Sequence, residues 1–117
     1  MATLPPIDES FESLGQVRPA ANTLTDCLTV DSNEQNIVSS VIIANLSNQV
    51  DYYSISHAIN GAADDPMQYL AEMILLNPRD SFTLTLGITL TGDDVIRVKS
   101  QNGNIAFNFY GVRLIPL

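Results

Sequence analysis

The chain has no tryptophan, one cysteine and one histidine, and each shortage closes a class of function. A lone Cys27 cannot form an internal disulfide, so the fold needs no such staple and fits a reducing compartment. Asp26 and Asp31 lie near it in sequence and would raise its thiol pKa, which suits a small core filler better than a nucleophile. One Cys and one His cannot close a zinc site. Nucleophilic catalysis of the Ser-His-Asp or Cys-His kind needs a histidine base, and His57 is the sole candidate. It shares the parity of Tyr53, Ile55 and Ile59, where a histidine reads as a hydrogen-bonded structural residue or an interface contact. No glycine-rich phosphate cradle sits between a strand and a helix. The expectation is therefore no catalytic residue, no metal and no cofactor.

Charge is scarce as well. Asp, Glu, Lys and Arg make up 15% of the chain, against roughly 25% in soluble domains, so threonine, serine and asparagine must supply much of the polar surface. The net charge of −8 offers no footprint for a phosphate backbone and would be repelled by anionic lipid, so neither nucleic acid nor membrane is an expected partner. No apolar run approaches the ~18 residues of a membrane span. The N-terminus lacks a basic and an apolar signal region, so a soluble, unprocessed chain is expected. The pairs Asp64-Asp65 and Asp93-Asp94 do not match a calcium loop. They suit a loop and a hairpin turn, with a surface calcium site as the alternative.

What is present is alternation. At 117 residues the chain is one domain. Residues 1–22 carry Pro5, Pro6, Pro19, Asp8, Glu9 and Glu12 without an apolar period and read as an extended N-terminal arm. Phe11 and Leu14 are its candidate anchors on a partner, with docking on the protein's own core as the alternative. Residues 23–117 read as strands of six to eleven residues separated by turn signals. In "IVSSVIIANLS" the apolar residues fall on both parities, which suggests a strand covered on two faces. A second subunit would supply the outer cover, making Val41 and Ile43 candidates for an oligomer interface. "MQYLAEMILL" suits a helix as well as a strand and is read as a strand because "NPRD" turns it directly into the next one.

That next stretch, "FTLTLGITLT", alternates strictly. Phe82, Leu84, Leu86, Ile88 and Leu90 take one side, while Thr83, Thr85, Gly87, Thr89 and Thr91 take the other. It would run about 30 Å unbroken, so a kink is expected at Gly87. Thr85 and Thr89 are oligomer-interface candidates on an uncharged side, the alternative being a plain solvated face. In the last strand the apolar parity changes after Phe109 to Val112 and Leu114, and a bulge at Tyr110-Gly111 would explain it. The fold class expected is all-β, an antiparallel two-sheet sandwich, jelly-roll-like, with an immunoglobulin-like sandwich as runner-up.

The segments "LGQVRPAANTLTDCLTV", "AADDPMQYL", "FTLTLGITLTGDDVIRV" and "NIAFNFYGVRL" together resemble short β-rich structural proteins of tailed bacteriophages, cyanophages among them. The resemblance runs from about Leu14 to Leu114. It implies a virion component without enzymatic activity, made in the host cytoplasm and acting as a symmetric homo-oligomer, most simply a trimer. Two placements follow from it. One is a capsid decoration (cement) protein on the head, binding across major capsid protein subunits. The other is a tail fibre or baseplate module that touches the host surface, where Tyr52, Tyr53, Tyr69 and Tyr110 are available for sugars. Outside the resemblance, a small carbohydrate-binding sandwich is the third reading, and the missing tryptophan weighs against its aromatic platform.

Overall fold

Alternation of apolar and polar residues produces strands along almost the whole chain. The computed structural model describes residues 7–116, and its strands are β1 (Ile7–Val17), β2 (Thr25–Thr29), β3 (Gln35–Asn45), β4 (Asp51–Ala58), β5 (Tyr69–Leu76), β6 (Ser81–Thr91), β7 (Val95–Ser100) and β8 (Ile105–Pro116). They form two antiparallel four-stranded sheets, ordered β1-β8-β3-β6 in sheet A and β2-β7-β4-β5 in sheet B. Each sheet draws its strands alternately from the two halves of the chain, which is the winding of an eight-stranded jelly roll. The ambiguous segment resolves into a single 3-10 turn at Pro66–Gln68, capped by the Asp65 side chain, followed by β5.

The core lies between the sheets. Sheet A contributes Val38, Val41, Ile43, Leu90, Ile105, Phe107 and Phe109, and sheet B contributes Leu28, Tyr53, Ile55, Leu76, Ile96 and Val98. Tyr53 meets Phe107 edge-on, with ring centroids 6.4 Å apart, a favoured aromatic geometry across the interior. Removing such side chains from water is the main stabilising term.

Three expectations change. The segment read as a free arm is, over its described part, edge strand β1, paired with β8 from Ile7↔Pro116 to Val17↔Phe107; residues 1–6, including Pro5 and Pro6, lie outside the described residues. Its acids are accommodated because Glu12 turns inward to Arg113 of β8. Val41 and Ile43 are 0% exposed in the protomer's own core and cannot contact a second subunit. The two-parity pattern that suggested otherwise comes from a bulge: Ser39 is one residue too many against β8, so Val38 and Val41 both point inward. The third correction places this irregularity. β8 runs through Tyr110-Gly111 without a break, and its neighbours carry the extra residues, Ser39 in β3 and Leu14 in β1. Gly111 is needed there because a Cβ would collide with the Ile37 carbonyl oxygen. Opposite Ser39, β6 has two residues, Leu86 and Gly87, which places its kink at Gly87; the inward position expected for the Leu86 side chain lies outside what is described.

Candidate interaction surfaces

Three of the buried polar side chains, Asp51, Asp94 and Asn45, hold turns together. Asp51, fully buried at the start of β4, accepts hydrogen bonds from Ser100 Oγ at 2.7 Å and from the amides of Tyr52 (2.7 Å), Asn102 (2.9 Å) and Asn104 (3.2 Å). Burial alone would raise its pKa, and these donors outweigh it, so the carboxyl stays below its usual range. Asp94 does the same at the other end of the sandwich. It receives His57 Nε2 at 3.0 Å and the amides of Asn60 (2.9 Å) and Thr91 (3.1 Å), and against its burial these bonds hold its pKa low. His57 thus orders the turn after β6. Asn45 ties three carbonyls, those of Gln49, Leu76 and Asn77, at 2.7–3.2 Å.

Other candidates are equally structural. Burial pushes the Cys27 thiol up to about 12, so it is unreactive at neutral pH. Asp64 accepts from Tyr69 Oη, and Asp93 accepts from Ser32 Oγ. Among the described residues no group of three or more His, Cys, Asp or Glu side chains could hold a metal ion. No helix among them is long and apolar enough to cross a membrane. A hollow of about 210 Å³ between β1, β2 and β8 contains Arg113 within 4 Å of Glu12, Asp31 and Glu34. Its cation is already matched by three carboxylates, and Arg113 in turn lowers the Glu34 pKa. The four tyrosines do not share a platform: Tyr53 is in the core, Tyr110 lies on sheet A, and Tyr52 and Tyr69 belong to sheet B.

Two surfaces stand out instead. The first is the outer face of sheet A, whose side chains align in rows across β1, β8, β3 and β6. Glu9, Leu114, Gln35 and Thr91 form one row, followed by Phe11, Val112, Ile37 and Thr89. Next come Ser13, Tyr110, Ser40 and Thr85, then Gln16, Asn108, Ile42 and Thr83. Glu9 is the one ionisable acid or base in these rows. Phe11 is 81% exposed there, whereas Leu14, the other anchor candidate, packs on the protein's own core. Thr85 and Thr89 are exposed on this face.

The second surface is the open side where β5 and β6 edge the two sheets. Leu70, Met73, Ile74, Leu75 and Phe82 are each about half exposed, and a hollow of about 180 Å³ lies between Tyr53, Ile74, Leu76 and Phe82. Sequence reasoning missed it because Met73–Leu76 is an unbroken apolar run, which reads as core. β5 also carries two irregularities against β4, one of them at Met73, which has a φ of 51° and donates its amide to Ser54 Oγ at 3.0 Å. Such bulges discourage strand addition along the edge, leaving the apolar side chains as the contact.

No protein-family model matches the chain, and no curated protein does. Among solved structures the chain is similar to a pentameric capsid protein isolated from metagenomic phage sequences, with a TM-score of 0.36 and 14% identity over 86% of this chain. It spans 59% of that protein's length. A likeness this distant leaves assembly and role to be argued from the chain's own residues.

Proposed function

We propose that this chain is a bacteriophage virion structural protein of the capsid-decoration kind, a homo-oligomer that binds across major capsid protein subunits at the head surface. The observation that supports it is the pair of surfaces just described. A small domain whose buried Asp51, Asp94 and Asn45 are committed to turns exposes a broad sheet face with Glu9 as the one charge in its rows and, separately, an apolar side between β5 and β6. Single soluble domains seldom leave contiguous apolar patches bare unless a protein covers them. The phage-like segments of the sequence supply the class of partner.

The mechanism follows from linkage. A rigid sandwich that binds the assembled shell and not its dissociated subunits stabilises the shell in proportion to its occupancy. Neither a reaction nor a cofactor enters. Purified protein mixed with phage heads lacking it should co-sediment with them and raise their thermal disruption temperature. Absence from heads, with immunolabel confined to tails, would transfer the protein to the tail fibre or baseplate, and absence from both would end the virion reading.

A further inference from the structure

We infer that the outer face of sheet A is a self-association surface, on which a second copy of this chain packs face to face about a two-fold axis running parallel to the strands. This deepens the homo-oligomer part of the proposed function and rests on that part alone. It puts a pair in place of the trimer implied by the sequence resemblance.

Area is the first argument. Four strands spaced about 4.8 Å apart and about eleven residues long at about 3.4 Å each give a face of about 700 Å². A standard stable interface takes about 600–1,000 Å² from each partner. The face is therefore wide enough without recruiting other elements, and two sheets stacking about 10 Å apart is an ordinary packing mode.

Charge is the second. The protein carries a net charge of −8, so two copies repel wherever their acidic surfaces meet. On the rows of sheet A only Glu9, at one corner, is ionised. A basic partner would be drawn elsewhere on the molecule, whereas an equally acidic copy can approach here.

The third argument is the match between the margins. Phe11 projects from β1 in the row that ends, on the opposite margin, at Thr89 of β6. Beside Thr89, Gly87 interrupts the threonine column, and a Cβ at its position would touch nothing within 4 Å. Rotation by half a turn about an axis parallel to the strands exchanges the margins and keeps the row. Each copy's Phe11 then lies over the other's Thr89 and Gly87, and its Tyr110, 37% exposed, lies over the other's Ser40, one row from Ile42.

Sedimentation equilibrium on the full chain tests this. The wild type should reach twice the protomer mass in the micromolar range. Phe11→Glu should weaken pairing by about 30-fold or more, as loss of an aromatic anchor does, with an unchanged melting profile at protomer concentration. Lys99→Ser, on the outer side of sheet B, should leave the mass unchanged. Mixing Phe11→Cys with Thr89→Cys should yield a cross-linked heterodimer under mild oxidation. A wild type that stays at protomer mass, including one that binds only an unlike protein, overturns the inference even if the protein is found on heads. A pair unaffected by Phe11→Glu, or Phe11→Cys cross-linking to itself in preference to Thr89→Cys, overturns the face or the axis.

Discussion

The two sheets of this sandwich treat their outer faces differently. Sheet B is covered by its own chain: Ser54, Ser56 and Ala58 point away from the core yet are buried, and the loop between β4 and β5 lies against β4 and β7. Arg97, pointing out of β7, holds that loop by donating to the carbonyls of Ala62 at 2.8 Å and Gly61 at 3.4 Å, and pairs with Asp26 at 3.1 Å. Among the described residues no loop of comparable length is tethered by side chains over sheet A, where Phe11, Ile42 and Tyr110 are exposed. One face has been used up in folding, and the other is left bare. The difference teaches where to look for partners of such a fold.

The most damaging change attacks sheet A from within. Gly111→Val would drive a branched side chain into the Ile37 carbonyl and towards Leu14 Cδ1, close to where β1 and β3 each carry an extra residue against β8. A loss above about 4 kcal/mol is expected, seen as failure to give a cooperative urea transition. A midpoint close to wild type would mean that the strand register at Gly111 is wrong.

Next in size is the pin at the end of sheet B. Asp51→Ala leaves the Ser100 hydroxyl and the Tyr52 and Asn102 amides without this acceptor, and the Asn104 amide with Ser100 Oγ alone, and should cost about 3 kcal/mol. The pH dependence has a definite sign. The folded pKa of Asp51 is lowered from 3.8, so its contribution is fully present above the unfolded value and is lost as pH falls through the folded one. Wild-type stability should therefore drop below about pH 4, and Asp51→Ala should flatten part of that acid limb. An unchanged limb would assign the acid sensitivity to other carboxylates, Asp94 first.

Arg97→Ala would turn the covered face into a bare one. It removes the tether from the loop without touching the core, so about 1 kcal/mol of global stability is expected to go. The larger change should appear in hydrogen exchange, with faster exchange confined to residues 59–68 and the β4 amides beneath them. Uniform acceleration across both sheets would show that the loop is part of the cooperative core instead.

These contrasts also mark what could be read from the sequence. The two-residue period exposed β4 and β6, and the threonine column was visible as an uncharged line. The misreading of β1 has a physical cause. Its inward Glu12 looks unsuited to a buried side until Arg113 is placed beside it, and that partner is brought by pairing with the last strand. Val41 and Ile43 were misassigned because a bulge and a second covering layer leave the same parity signature. The width of the sheet A face was not legible, because Phe11, Tyr110, Ile42 and Thr85 come from four strands that only the jelly-roll winding makes neighbours.

The smallest effect on folding should come from the threonine column itself, and that is what makes it informative. Thr85 and Thr89 are exposed, no hydrogen bond from either hydroxyl is found among the described residues, and each lies on the free edge strand of sheet A. Replacing both with lysine exchanges good strand formers for a poorer one and removes no core contact, so stability should move by no more than about 0.5 kcal/mol. The same double substitution places two charges per copy on a surface that otherwise carries almost none. Desolvating them against a second copy is costly, so unfolding curves should overlay while the sedimenting mass falls to that of the protomer. Overlaid curves with an undiminished oligomer would make the threonines an ordinary solvated edge and leave both outer faces of the sandwich alike.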